Sequence, residues 1–167
     1  MYVNIQNKPI NLDSKQLENI LAYKNENILS RFTDMYNVSN NEAEDIFKAT
    51  LKFMYIAQIK GVFIPDELLI IDEMWHNFIL FTKDYHSFCD KYFGSYFHHL
   101  PASKREKEIQ TRKNQENPEQ ASVEFQNKLE FIMGVVYDYL GQETLEIWFR
   151  DYAHKYSREK ILALRKS

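Results

Sequence analysis

Apolar residues recur every three or four positions along most of the chain, which is the period of helices rather than strands. Leu17, Ile20 and Leu21 share one face after an Asp13-Ser14 start, and Ile28, Leu29, Phe32, Met35 and Tyr36 continue the pattern in a second short helix. Ser39-Asn40-Asn41-Glu42 has the spacing of a capping box, in which the serine accepts from the backbone three residues on and the glutamate reaches back. The acidic first turn (Glu42, Glu44, Asp45) suits the positive end of the helix dipole. Ala43, Ile46, Phe47, Leu51, Met54 and Tyr55 then give a wide apolar face, with Gly61 expected just past the helix end.

Pro65-Asp66 punctuates the chain, and a third long helix is expected from Glu67 to about Phe81. Thr82 reads as the N-cap of a helix over 83–93 that Gly94 closes, and Ser95–Pro101 reads as extended. Residues 102–120 hold five basic and four acidic side chains with Ile109 as their only large apolar residue. A solvated helix and a connector both fit this composition; an exposed polar connector over 102–117 is the favoured reading. Asn117-Pro118 opens another helix, with the proline at its first position and a stripe through Phe125, Leu129, Ile132, Met133, Val136, Tyr137 and Leu140 that Gly141 ends. Short helices fit Thr144–Tyr156 and Arg158–Leu164, and residues 1–12 suit a short extended arm. No segment calls for a sheet. The expectation is an all-α, single-domain helical bundle of about six to eight helices, with 66–81 and 83–93 packed on 40–60 and 118–140.

Composition narrows the function classes. At 167 residues the chain fits one domain, which at this size buries about 70% of the surface its unfolded form exposes. Four glycines and four prolines against twelve Phe and eleven Tyr exclude linker-like and disordered chains. No apolar run reaches the roughly 20 residues of a membrane helix, and MYVNIQNKPINLDSK lacks the basic start and apolar core of a secretory signal. A net charge of -3 gives no electrostatic footprint for nucleic acid. The one cysteine, Cys89, has no partner for an internal disulfide, so the expected setting is a reducing cytoplasm.

Four of the five histidines and that cysteine lie between Asp72 and His99. Asp72 and His76 are i, i+4 neighbours whose side chains can hydrogen-bond and fix the imidazole tautomer. Trp75 lies about 100° round the helix, where it can close off solvent. Tyr85 and Cys89 share a face of the next helix, so a sharp bend at Thr82 could bring the faces of His76 and Cys89 together. In an extended His98-His99 pair the rings alternate, so at most one turns inward.

The series Asp72-Glu73-Met74-Trp75-His76, Leu80, Tyr85, Phe88-Cys89, Phe93-Gly94 and His98-His99 resembles the signature of the glycine-rich-domain-containing-protein-like family over residues 66–101. The resemblance implies the short bacterial stand-alone form, because this chain has only four glycines. It implies a domain identity with no established activity. Many relatives carry a second histidine two places after the Trp-His pair; here that position is Phe78, so the resemblance supplies no His-x-His metal pair.

Three readings follow. The favoured one is a non-enzymatic binding or protein-interaction module with a protein or small-molecule partner, no cofactor and no catalytic residue. Its motif cluster is Asp72, Trp75, His76, Tyr85, Cys89, His98 and His99. The alternative is a metal-dependent enzyme acting on a small molecule, with zinc or iron on His76, His98 or His99 and Cys89, and Asp72 supporting from behind. Cys-His nucleophilic catalysis is disfavoured, since a mid-helix cysteine has no free backbone N–H groups for an oxyanion. An interaction module also predicts exposed aromatic residues; Tyr92, Phe93, Tyr96 and Phe97, and Trp148, Phe149, Tyr152 and Tyr156, are the rings to follow.

Overall fold

The computed structural model describes residues 2–4, as backbone only, and 12–166. Asp13 caps α1 (Ser14–Leu21) through its side chain, and Asn25 caps α2 (Glu26–Met35) in the same way. Ser39 accepts from the Glu42 backbone N–H at 3.2 Å and opens α3 (Asn40–Ile56). This helix ends at Ile56, short of the expected length. Gly61, at φ 96°, instead serves the turn that follows. Ala43, Ile46, Leu51, Phe53, Met54 and Ile56 are fully buried, because α3 packs on α1, α2, α4 and α7 at once.

A 3-10 turn at Asp66–Leu68 leads into α4 (Leu69–Leu80), and α5 (Thr82–Phe93) follows after a single residue. That residue is Phe81, at φ -83° and ψ 63°. It occupies the cap position without a side-chain hydrogen bond, and Thr82 is already helical. The expected Thr82 cap is therefore displaced by one residue. Phe81 donates its N–H to the Phe78 carbonyl at 3.0 Å and accepts from Tyr85 at 2.8 Å, so both helices keep their hydrogen bonds through the bend. Gly94 ends α5 in the left-handed region (φ 72°), where a side chain would be strained, and turns the chain toward β2 (His98–Leu100).

β2 pairs antiparallel with β1 (Tyr2–Asn4), with Val3 opposite His99. The expectation of no sheet gives way to this three-residue ribbon. The extended arm expected over residues 1–12 is seen as β1; its Pro9 and Ile10 lie outside the described residues.

The polar stretch is α6 (Lys104–Glu116), started by a full capping box between Ser103 and Glu106. α7 (Pro118–Glu146) runs back beside it, with Pro118 in the first turn and Asn117 as cap. Gly141 breaks α7 with φ 86° and ψ 167°, a conformation that essentially only glycine adopts. Beyond it the chain passes through a π-helical stretch, Ile147–Tyr152, then α8 (Ala153–Lys155) and α9 (Arg158–Leu164). Between 104 and 131 only Ala121 is buried, so α6 and the first half of α7 form a hairpin that stands off the core. The architecture is an all-α bundle, as the periodicity predicts.

Candidate functional site

Most of α4 faces the core: Ile70, Ile71, Met74, Trp75, Asn77 and Phe78 are buried. Its ionisable side chains, Asp72, Glu73 and His76, are left on a narrow stripe, while Asn77 is buried. Glu73 turns to one side, where it accepts from the Tyr36 hydroxyl at 2.5 Å and from Arg165 at 3.2 Å. Asp72 turns to the other, toward β2.

Two hydrogen bonds aim β2. Trp75 donates its indole N–H to the Tyr85 hydroxyl at 3.0 Å, and that hydroxyl donates to the Phe97 carbonyl at 2.6 Å. Phe97 thereby faces the core, stacked on Trp75 with centroids 5.6 Å apart. Strand alternation then sends His98 outward, beside Tyr96, and His99 inward. The His99 side chain is 1% exposed and lies on the Trp75 indole, with centroids 4.3 Å apart and planes 16° from parallel.

Asp72 lies between the buried His99 imidazole and the half-exposed His76 imidazole. Its Oδ1 is 3.0 Å from His99 Nε2, and its Oδ2 is 3.4 Å from His76 Nδ1. Burial pushes the His99 pKa down, and the bond to Asp72 only partly opposes this. The ring is therefore neutral at pH 7 and donates through Nε2. Its Nδ1 is buried with no partner among the described residues. His76 is half exposed. One donor atom from each of Asp72, His76 and His99 lies within 4.8 Å of the others, a spacing that a metal ion can bridge.

The structure brings Asp72, Trp75, His76 and His99 together and separates Cys89 from His76. Cys89 shares the inward face of α5 with Tyr85 and Phe88, whereas His76 lies on the outward stripe of α4. Burial raises the thiol pKa to about 11, against weaker lowering contacts with the Phe97 backbone and Tyr85. A neutral, enclosed thiol is neither a nucleophile nor a ready ligand. In the ligand set anticipated from sequence, Asp72 takes the place of Cys89. His98 is exposed, and His86 is an exposed partner of Asp90 at 3.0 Å.

Of the tracked rings, Phe97, Trp148 and Tyr156 are buried in the core, Tyr92, Phe93, Phe149 and Tyr152 pack partly buried against it, and Tyr96 is exposed. The exposed apolar side chains include Ile109, Val123 and Phe125, all on the hairpin. Between α6 and α7 runs a groove of about 430 Å³. Ala121 and Phe125 give it an apolar floor, with Gln110, Asn114, Glu124 and Lys128 at its sides. Sequence reasoning missed this groove by reading the segment as a connector. The signal was present in Ser103-Lys104-Arg105-Glu106, whose spacing is that of a capping box.

The profile of the UCP032817-like family matches residues 15–120. That span exceeds half of the chain, and the chain belongs to this family, whose description names no activity. The match spans α1 from its second residue through α6 and includes every residue of the Asp72–His99 cluster. No curated protein and no solved structure matches the chain.

Proposed function

We propose that this member of the UCP032817-like family is a non-enzymatic protein-interaction module whose contact surface is the groove of the α6–α7 hairpin. The observation that supports this reading is a capped hairpin that gives almost nothing to the core yet holds Phe125 open in the groove, with Ile109 and Val123 also exposed elsewhere on the hairpin. Exposed apolar side chains set among charged ones are the usual composition of a recognition surface. The matching partner presents a short amphipathic helix: one or two apolar side chains for the Ala121–Phe125 floor and polar groups toward Glu124 and Lys128. The raised pKa of Cys89 and the absorption of Tyr85 into a core hydrogen-bond relay support a non-enzymatic role for the motif residues. An unpaired buried cysteine fits a reducing, cytoplasmic setting. Among the described residues no helix is long and apolar enough to cross a membrane.

The test compares proteins captured by the wild-type chain with those captured by Phe125→Glu and Lys128→Glu, both in the groove. Both sites are exposed, so the variants keep the fold. A partner retained by wild type and lost with both variants supports the reading. Identical capture by all three chains contradicts it.

A further inference from the structure

We infer that Asp72, His76 and His99 form a binding site for a single divalent transition-metal ion of the zinc class, with coordination positions left open toward solvent. The inference does not depend on the hairpin, which lies elsewhere in the molecule.

Geometry carries it. Tetrahedral zinc with bonds of about 2.0–2.1 Å has ligand atoms about 3.3–3.4 Å from one another. The separations of 3.0 Å from Oδ1 to His99 and 3.4 Å from Oδ2 to His76 are close to that edge length, and one donor atom from each of the three residues lies within 4.8 Å of the others. An ion would thus replace one hydrogen bond and one 3.4 Å contact, with the three side chains drawn toward a common centre. Two imidazoles and one carboxylate also supply the right donors: nitrogen and oxygen of intermediate softness suit zinc, cobalt and iron(II), and not calcium or magnesium. His76 follows Asp72 by one helical turn, and His99 arrives from β2, so the ion would tie the strand to the central helix. The half-exposed side chain of His76 leaves the outer side of the site open to water or to an exchangeable ligand.

The surroundings set the expected strength. Coordination through His99 Nε2 moves the ring proton to Nδ1, which has no acceptor among the described residues. A ligating histidine ordinarily donates that second N–H to a carboxylate or carbonyl. Here the stack on Trp75 holds the ring plane instead. Orientation is provided, but the extra basicity of an outer hydrogen bond is not. The site should therefore bind reversibly, more weakly than a closed structural zinc centre, and release its ion to a strong chelator without unfolding.

The experiment uses the full chain without a polyhistidine tag, stripped with chelator and titrated with zinc by calorimetry. Cobalt(II) serves as a spectroscopic probe, because its visible bands intensify when it becomes four-coordinate. The inference expects one equivalent bound and, in proton NMR, shifts of the His76 and His99 ring signals alone among the histidines. His76→Ala should weaken zinc roughly tenfold or more while circular dichroism stays unchanged, because this side chain is half exposed. His86→Ala should bind as wild type. No saturable binding, or binding that His76→Ala leaves intact, overturns the site; the latter would mean adventitious binding to surface histidines. The His76 variant leaves the groove untouched, so this test and that of the interaction surface fail or succeed separately.

Discussion

The His99 imidazole lies face to face with the Trp75 indole, 4.3 Å between centroids and 16° from parallel, although twenty-four positions separate them in sequence. The contact joins a helix buried nearly all round to a strand only three residues long. It exists because Phe97 is pinned inward and alternation then turns His99 the same way.

The consequence is a sharp asymmetry between neighbouring histidines. His99→Ala removes a ring packed on Trp75 and leaves Asp72 Oδ1 without its donor. The expected loss of stability is about 2–4 kcal/mol. His98→Ala, at an exposed position, should stay within about 0.5 kcal/mol of wild type. Denaturant unfolding of the two variants gives the comparison, and equal effects would contradict the strand register.

Tyr85 carries a relay that apolar packing cannot replace. Its hydroxyl accepts from Trp75 and donates to the Phe97 carbonyl, and the Tyr85 ring is fully buried. Tyr85→Phe keeps the ring and strands both partners, at a cost of about 1–3 kcal/mol for each unpaired buried group. Faster exchange of the Trp75 indole hydrogen should accompany the loss. A variant as stable as wild type would show that the relay is dispensable.

Glu42 links stability to pH. Burial raises its carboxyl pKa, but Lys155 at 2.8 Å, the Tyr156 hydroxyl at 2.6 Å and the Ser39 backbone outweigh this, so the folded value is lowered. As pH falls from the ordinary glutamate range, the unfolded chain takes up the proton first. The contribution is thus complete above that range and is lost as pH falls through the folded pKa. Glu42→Gln should lower Tm at pH 7 and flatten its decline on the acid side. Thermal melts across that range decide it; parallel curves would contradict the assignment.

The α-helical period was legible wherever apolar residues line one face, as in α2 and α3, and caps such as Asp13, Asn117 and Ser39 could be placed almost to the residue. Gly141 was readable as a stop because its conformation excludes other side chains. The Asp72–His76 pair followed from i, i+4 spacing, and the inward turn of one of His98 and His99 from strand alternation. What the sequence could not show was direction in space. Only the packing reveals that Cys89 turns away from His76, or that Asp72 lies between two imidazoles rather than behind one. α6 was hidden for a different reason: with all of its residues exposed, it has no apolar period, and only its capping box and a few i, i+4 contacts mark it.

The hairpin groove is the proposed meeting place of this domain and its partner. The most direct test is a photo-crosslinking amino acid placed in living cells at Phe125, in the groove, or at Lys83, on α5. With the groove as the contact surface, position 125 yields a discrete protein adduct and position 83 yields none. No adduct from position 125, or the same adduct from both positions, would contradict it.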